Sequence, residues 1–272
     1  MQDIVYKTFS PVPALRPYVK TIFVLETKSG LSKTDFSITV PNSSMKLVIP
    51  FKNNMRSIIG NCIREHKEST WFILGLSTHA TVVECDADYG NICVEFKPLG
   101  AYRFFNVALN ELKNQIYTAE DIFNKEGEKL QEKLKEMISI DEKVRFVQQF
   151  LCRQMLLLNK SDPITEYAVN QITKSKGLIT VSELSEKMGY SRRYLATKFS
   201  ENVGLSPKEL TSVIKFQEAY RKMNLMSLED NELYEMYYDQ SHFIKEFKKF
   251  TGLPPKEYIM KNNKLGTIFY KE

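Results

Sequence analysis

Histidine, cysteine and tryptophan are scarce in this chain of 272 residues. It holds three histidines, four cysteines and one tryptophan. His66, His79 and His242 form no close pair and no H-E-x-x-H, so metal-assisted hydrolysis has no sequence support, and neither a metal nor a cofactor is expected. Cys62, Cys85, Cys93 and Cys152 are scattered, with no Cys-x-x-Cys spacing. A disulfide framework and a zinc site are therefore not expected, and a reducing cytoplasm is the expected location. No apolar run approaches the roughly 18 residues of a membrane span. The opening MQDIVYKTF lacks the basic-then-apolar order of a secretory signal, so no membrane role is expected. Charge of one sign is not in large excess: 38 Lys+Arg against 33 Asp+Glu give +5. That balance permits an acidic partner such as nucleic acid without demanding one.

What is present is a soluble globular composition, 43% hydrophobic and 26% charged, at a length that suits one large domain or two ordinary ones. The first hundred residues read as short β-branched and aromatic runs separated by turn residues. They are TIFVLET (21–27), FSITV (36–40), KLVIPF (46–51), WFILGL (71–76), TVVEC (81–85) and NICVEF (91–96). Such spacing predicts a barrel or sandwich.

The period changes after Pro98. Leu130, Leu134, Met137 and Ile138 fall at helical spacing. A second helix opens at the capping box Ser139-Ile-Asp-Glu142 and carries Val144, Val147, Leu151, Met155 and Leu158 on one face. Two readings of this region, 128–158, stay open: packing on the barrel, or pairing with a second copy in a homodimer. Asn159 to Pro163 is the domain boundary, because Asp162-Pro163 supplies a cap and then proline at the first helical position.

An internal repeat carries the strongest signal. SRRYLATKFSENVGLSPKEL (191–210) and DQSHFIKEFKKFTGLPPKEY (239–258) share Phe199/Phe247, Gly204/Gly252, Leu205/Leu253, Pro207/Pro255, Lys208/Lys256 and Glu209/Glu257. One supersecondary unit is used twice. Ser191 or Asp239 caps a helix, and an i,i+4 apolar pair forms its buried face. Glycine stops it at a left-handed position, and proline starts the next helix. Upstream, Thr180-Val-Ser-Glu183 caps a short helix ending at Gly189. A short helix, a glycine turn and a capped helix with basic residues at its start form a helix-turn-helix, whose second helix enters the DNA major groove.

On these residues, 162–262 resembles the C-terminal DNA-binding domain of the AraC/XylS transcription regulators. The residues that carry the likeness are Leu184, Ser185, Gly189, Tyr190, Ser191, Leu195, Phe199 and Gly204 to Pro207, then Asp239 to Phe243, Phe247, Lys248, Phe250, Gly252, Leu253, Pro255 and Tyr258. Residues 13–160 resemble, more loosely, the cupin-like domain some members carry, through VPALRPYV (12–19), VPNSSMKLVIPF (40–51) and VEFKPLGAYRFF (94–105).

The resemblance implies an α+β protein of two domains. Residues 1–160 are a β-rich cupin-like sensing or dimerising barrel ending in two helices. Residues 161–262 are an all-α domain of seven helices with two helix-turn-helix motifs, and 263–272 are a tail. It implies a non-enzymatic transcription regulator, an activator in most members, with double-stranded DNA and RNA polymerase as partners. It leaves room for a small-molecule effector in the first domain. Control by a protein partner, and a cupin-type enzyme with an appended DNA-binding module, are the alternatives. The enzyme needs clustered histidine with carboxylate, and His66 and His79 lie thirteen apart without a third partner.

In the first recognition helix Leu195 and Phe199 point inward, which turns Arg193, Ala196 and Thr197 to the bases. Ser191, Arg192 and Lys198 fall toward phosphates. Two arginines at a helix start oppose the macrodipole by a few tenths of a kcal/mol, which a DNA contact explains. In the second helix Gln240, Ser241 and Lys245 are base-facing, and Lys248 and Lys249 are phosphate candidates. The helix before it departs from the family: Glu232 stands where a small residue is usual and Met236 where glycine ends the helix. That predicts poorer packing and backbone strain in the second unit. In the first domain Phe23, Met45, Trp71 and Phe96 are candidate ligand contacts.

Overall fold

The computed structural model describes residues 4–32, 35–225 and 235–269. Ten strands make two antiparallel sheets. The larger is ordered β1 (Ile4–Phe9), β2 (Val19–Thr27), β9 (Tyr89–Phe96), β4 (Lys46–Lys52), β7 (Phe72–Leu74), β10 (Ile116–Thr118). The smaller is ordered β3 (Ile38–Thr39), β8 (Thr81–Cys85), β5 (Met55–Ile59), β6 (Cys62–His66). The six predicted runs are all strands. Four strands add to them. β1 is an exposed edge. β5 and β6 form a hairpin closed at Gly60 (φ +55°), with Ile59 opposite Cys62. β10 closes the other edge.

The larger sheet is buried on both faces, and this decides where the site lies. Side chains alternate along β9: Ile92, Val94 and Phe96 point to one core, Tyr89 and Cys93 to another. The first core is roofed by helices α1 (Ala119–Phe123), α2 (Lys125–Glu136) and α3 (Ile140–Leu158). Trp71 is wholly buried there, edge-on to Phe150 at 5.6 Å. Val144, Val147 and Leu151 are buried in the same core. These three residues of the predicted stripe are thus covered by the chain's own barrel, while Met155 and Leu158 are half-buried. α2 stops at Glu136, two residues short of the predicted end, and Ile138 is exposed rather than part of that stripe. The Ser139–Glu142 capping box forms as predicted.

The second part is helical: α4 (Pro163–Lys174), α5 (Val181–Met188), α6 (Arg192–Val203), α7 (Pro207–Leu225), α8 (Gln240–Thr251), α9 (Pro255–Met260) and the short α10 (Gly266–Phe269). Asp162 caps α4 with Pro163 at its first turn, and Thr180 and Glu183 make the capping box of α5. Gly189, Gly204 and Gly252 all end helices in the left-handed region. Gly204 is also a close approach, since a Cβ there would meet the Leu109 carbonyl at 2.7 Å. The end of α6 therefore docks on the turn Leu109–Leu112 of the first part, and the ion pair Lys113–Glu209 (2.5 Å) lies beside it.

Residues 263–269 differ from the expected tail. Asn263 and Leu265 are buried, and α10 lies against β3. The apolar side chains of Leu265, Ile268 and Phe269 return to the barrel because its open end leaves apolar surface to cover.

Candidate nucleic-acid interface and a cavity between the domains

In α6, Leu195 and Phe199 are wholly buried, and this rotates Arg192, Arg193, Ala196 and Thr197 into solvent. The Thr197 hydroxyl donates to the Arg193 carbonyl at 3.2 Å, so its proton is used within the helix and its methyl is left outward. Ser191 caps the helix by accepting from the Tyr194 amide. Lys198 is engaged differently from the phosphate role expected for it: its ammonium lies 3.3 Å from the Asp162 carboxylate. Tyr190 and Tyr194 stack at 5.0 Å on the exposed flank, a feature the spacing rules did not single out.

Asp162 is the centre of a buried cluster. It accepts from the Thr165 amide and hydroxyl (both 3.0 Å) and from the Asn202 amide (2.5 Å). Burial alone pushes this carboxyl up, but the Thr165 hydrogen bonds and the Lys198 charge outweigh it and hold it below the ordinary carboxylate range. A depressed folded value means the ionised form stabilises the fold above about pH 4, where the unfolded chain is also ionised, and that this contribution is lost as acid protonates the group. Asp162→Ala is expected to cost about 2–3 kcal/mol at neutral pH, from a lost cap and unpartnered buried donors. Urea midpoints measured from pH 6 to pH 3 should fall more steeply for the wild type than for the variant.

In α8, Phe243 and Phe247 are wholly buried. Gln240, Ser241, Ile244, Lys245, Lys248 and Lys249 are exposed, and Asp239 caps the helix by accepting from the His242 amide at 2.7 Å. The helix is pinned to α7 by Lys215–Glu246 (3.4 Å), both largely buried, with the Lys215 ammonium 4.4 Å over the Tyr237 ring. Met236 has no positive φ and packs partly buried on the core, so the strain expected at that position is not found. Glu232 lies outside the described residues.

The second feature is a cavity of about 440 Å³ between the two sheets, opening against α7. Its barrel end is apolar: Phe23, Leu25, Val48, Met55, Leu74 and Tyr89. Its α7 end is polar. There Lys20 pairs with Glu95 at 3.4 Å, and Asn42 donates to the same carboxylate. Ser43 donates to Gln217 of α7 at 2.9 Å, and Arg221 pairs with Glu218 at 3.1 Å. Lys46 also lines this end. Of the four side chains predicted to meet a ligand, Phe23 lines the cavity. Met45, Trp71 and Phe96 belong to the helix-covered core on the other side of the sheet. His66 is stacked on Phe72 at 3.4 Å, and no group of three histidine, cysteine or carboxylate side chains fit for a metal exists among the described residues.

Residues 184–261 match a family model described as a helix-turn-helix domain, on the segment that holds α6 and α8. These residues therefore carry a helix-turn-helix domain. No helix among the described residues is long and apolar enough to cross a membrane. Residues 7–118 match a domain of unknown function, DUF6597. No curated protein sequence matches the chain. The fold is similar to that of ToxT from Vibrio cholerae bound to (E)-4-(8-methylnaphthalen-1-yl)but-3-enoic acid, with 15% identity, 89% of this chain and 99% of that chain covered, and a TM-score of 0.50. Unsaturated fatty acid-bound ToxT from the same organism aligns at 15% identity over 90% and 95% of the two chains, with a TM-score of 0.45. The AraC-like transcriptional activator CuxR aligns at 14% identity over 82% and 87%, with a TM-score of 0.30.

Proposed function

We propose that this protein is an AraC-type transcription regulator that reads two adjacent major grooves with α6 and α8 and activates transcription under the control of a small apolar acid held in the cavity. The observation that carries the DNA reading is the double set of exposed polar and basic side chains on two helices whose inner faces are wholly buried. α7 spans 19 residues, about 28 Å at 1.5 Å per residue, which suits readers one DNA turn apart. Arg193 donates a bidentate pair to guanine, and the methyls of Ala196 and Thr197 meet thymine. Ser191, Arg192, Lys248 and Lys249 position the duplex through phosphates. Lys198 is already paired, and it contributes to the fold more than to DNA.

Arg193→Ala is expected to cost about 1–3 kcal/mol on the selected site and to relax one base position. Lys248→Ala should weaken all sequences alike. Selection of binding sites from random DNA checks both, and an unchanged motif for Arg193→Ala would refute this orientation of α6.

The effector reading rests on the polarity of the cavity. An apolar body fits between the sheets, and an anionic head meets Lys46, which has no carboxylate partner among the described residues. The volume falls within the range of small-molecule sites. ToxT, of like fold, is bound to a compound with an aromatic body and a carboxylic acid head. Titration with cis-parinaric acid, a fluorescent fatty acid, tests it: Lys46→Met should weaken binding about tenfold or more.

A further inference from the structure

The last described residues take part in this cavity. Leu265 is 2% exposed and lines it, and so does Phe269. The Phe269 ring lies 5.3 Å from Phe23 and 5.9 Å from Tyr6, both barrel residues of the apolar end. Four contacts hold this segment to β3 and to the residues just before it. The Asn263 side chain accepts from the Ile38 amide at 3.0 Å and donates to the Ile38 carbonyl at 2.8 Å, as a neighbouring strand would. The Lys264 amide donates to the Phe36 carbonyl at 3.1 Å, and the Lys264 ammonium meets Asp35 at 2.7 Å.

The same asparagine faces the DNA-reading part. Its amide donates to the Tyr258 hydroxyl at 2.7 Å, and that hydroxyl shares a hydrogen bond with Tyr220 of α7 at 2.8 Å. The Tyr258 ring lies 5.4 Å from Phe247, the buried anchor of α8. Asn263 is itself 5% exposed, so a displaced side chain would strand buried donors and acceptors. A shift of the segment therefore cannot be absorbed by water.

We infer that residues 263–269 form a strap that is one wall of the effector site and that links its occupancy to the second helix-turn-helix unit. This rests on the cavity reading above. A ligand filling the apolar end presses on Leu265 and Phe269. The strap is fixed at Asn263 to both β3 and α9, so the pressure reaches Tyr258 and the seat of α8. By reciprocity, DNA that holds α8 in its seat alters the affinity of the cavity for its ligand.

Full-length protein, cis-parinaric acid and a selected DNA duplex test the inference. In the wild type, saturating probe is expected to change DNA affinity about fivefold or more. Asn263→Ala should bring that ratio below about twofold while the probe still binds. Leu265→Trp fills the apolar end and should weaken the probe about tenfold or more. Ile259→Trp, exposed on α9, should not. Hydrogen exchange guards against variants that merely misfold: in the wild type the amides of 36–39 and 264–269 should change protection when probe binds. If no probe binds the wild type, the cavity reading itself is wrong. If probe binds and shifts DNA affinity but Leu265→Trp, Asn263→Ala and those amides leave everything unchanged, the strap inference is overturned and the cavity reading stands.

Discussion

Between 50 and 200 mM salt the affinity of the protein for its DNA site is expected to fall by about three orders of magnitude. The exposed cations Arg192, Lys245, Lys248 and Lys249 of α6 and α8 supply phosphate contacts, and the starts of the two helices add one each. With about six phosphates neutralised, each contributes a slope near −0.9 in log affinity against log salt. A fourfold change in salt then gives about the thousandfold loss stated. Fluorescence anisotropy at four salt concentrations measures the slope. Lys198→Ala provides an internal control: its ammonium faces Asp162, so it should lower the denaturation midpoint more than it changes the salt slope. A flat salt curve would remove the DNA-reading proposal.

Phe247→Ala is expected to destabilise the protein by about 3–5 kcal/mol, the cost of emptying a buried aromatic site. The ring is wholly buried and touches Phe216, Tyr220, Phe243 and Tyr258 at centroid distances between 5.4 and 6.2 Å. Domains of this kind are stable by only about 5–15 kcal/mol, so the loss is a large share. Urea denaturation measures it, and Phe247→Leu should lose markedly less. α8 should lose its seat before α6 does, because Phe199 anchors α6 independently. A footprint of Phe247→Ala should therefore weaken first at the half-site read by α8. Equal loss at both half-sites would mean that the two units do not hold their helices separately.

The helical part was legible because its signals are local. A serine or threonine three residues before a glutamate, a proline at a first turn and a glycine after a last turn are chemical instructions about orphan amides and carbonyls. Ser139, Thr180, Ser191, Asp239, Gly204 and Gly252 act in the fold as they read in the chain. The barrel was partly legible. β5 and β6 escaped because Arg56, Arg64 and Glu65 put charge at the surface of a hairpin whose stability comes from pairing, and because Ser57, though polar, is buried. The cavity was the least legible. Its lining comes from β2, β4, β9, α7 and the last residues, and no local pattern joins segments so far apart in sequence. Period-two alternation marks the two faces of a strand, but where both faces are buried it does not say which one encloses space. This is why Phe23 falls in the cavity while Met45, Trp71 and Phe96 fall in the packed core.

α7 is shared by the two units that hold α6 and α8, and this makes it a ruler for the proposed reading of DNA. Its buried residues Val213, Phe216, Ala219, Tyr220 and Met223 belong to one continuous core with α6 and α8, so neither unit can rotate about it without breaking that core. On DNA, one inserted base pair turns the far half-site by roughly 34° and moves it by about 3.4 Å. A regulator whose readers sit on separate subunits can follow such a change through a flexible joint, whereas one built on a common rod cannot. On the proposed two-groove reading, base substitutions in a half-site should weaken binding one contact at a time, whereas one base pair inserted between the half-sites should remove the contribution of one reader altogether.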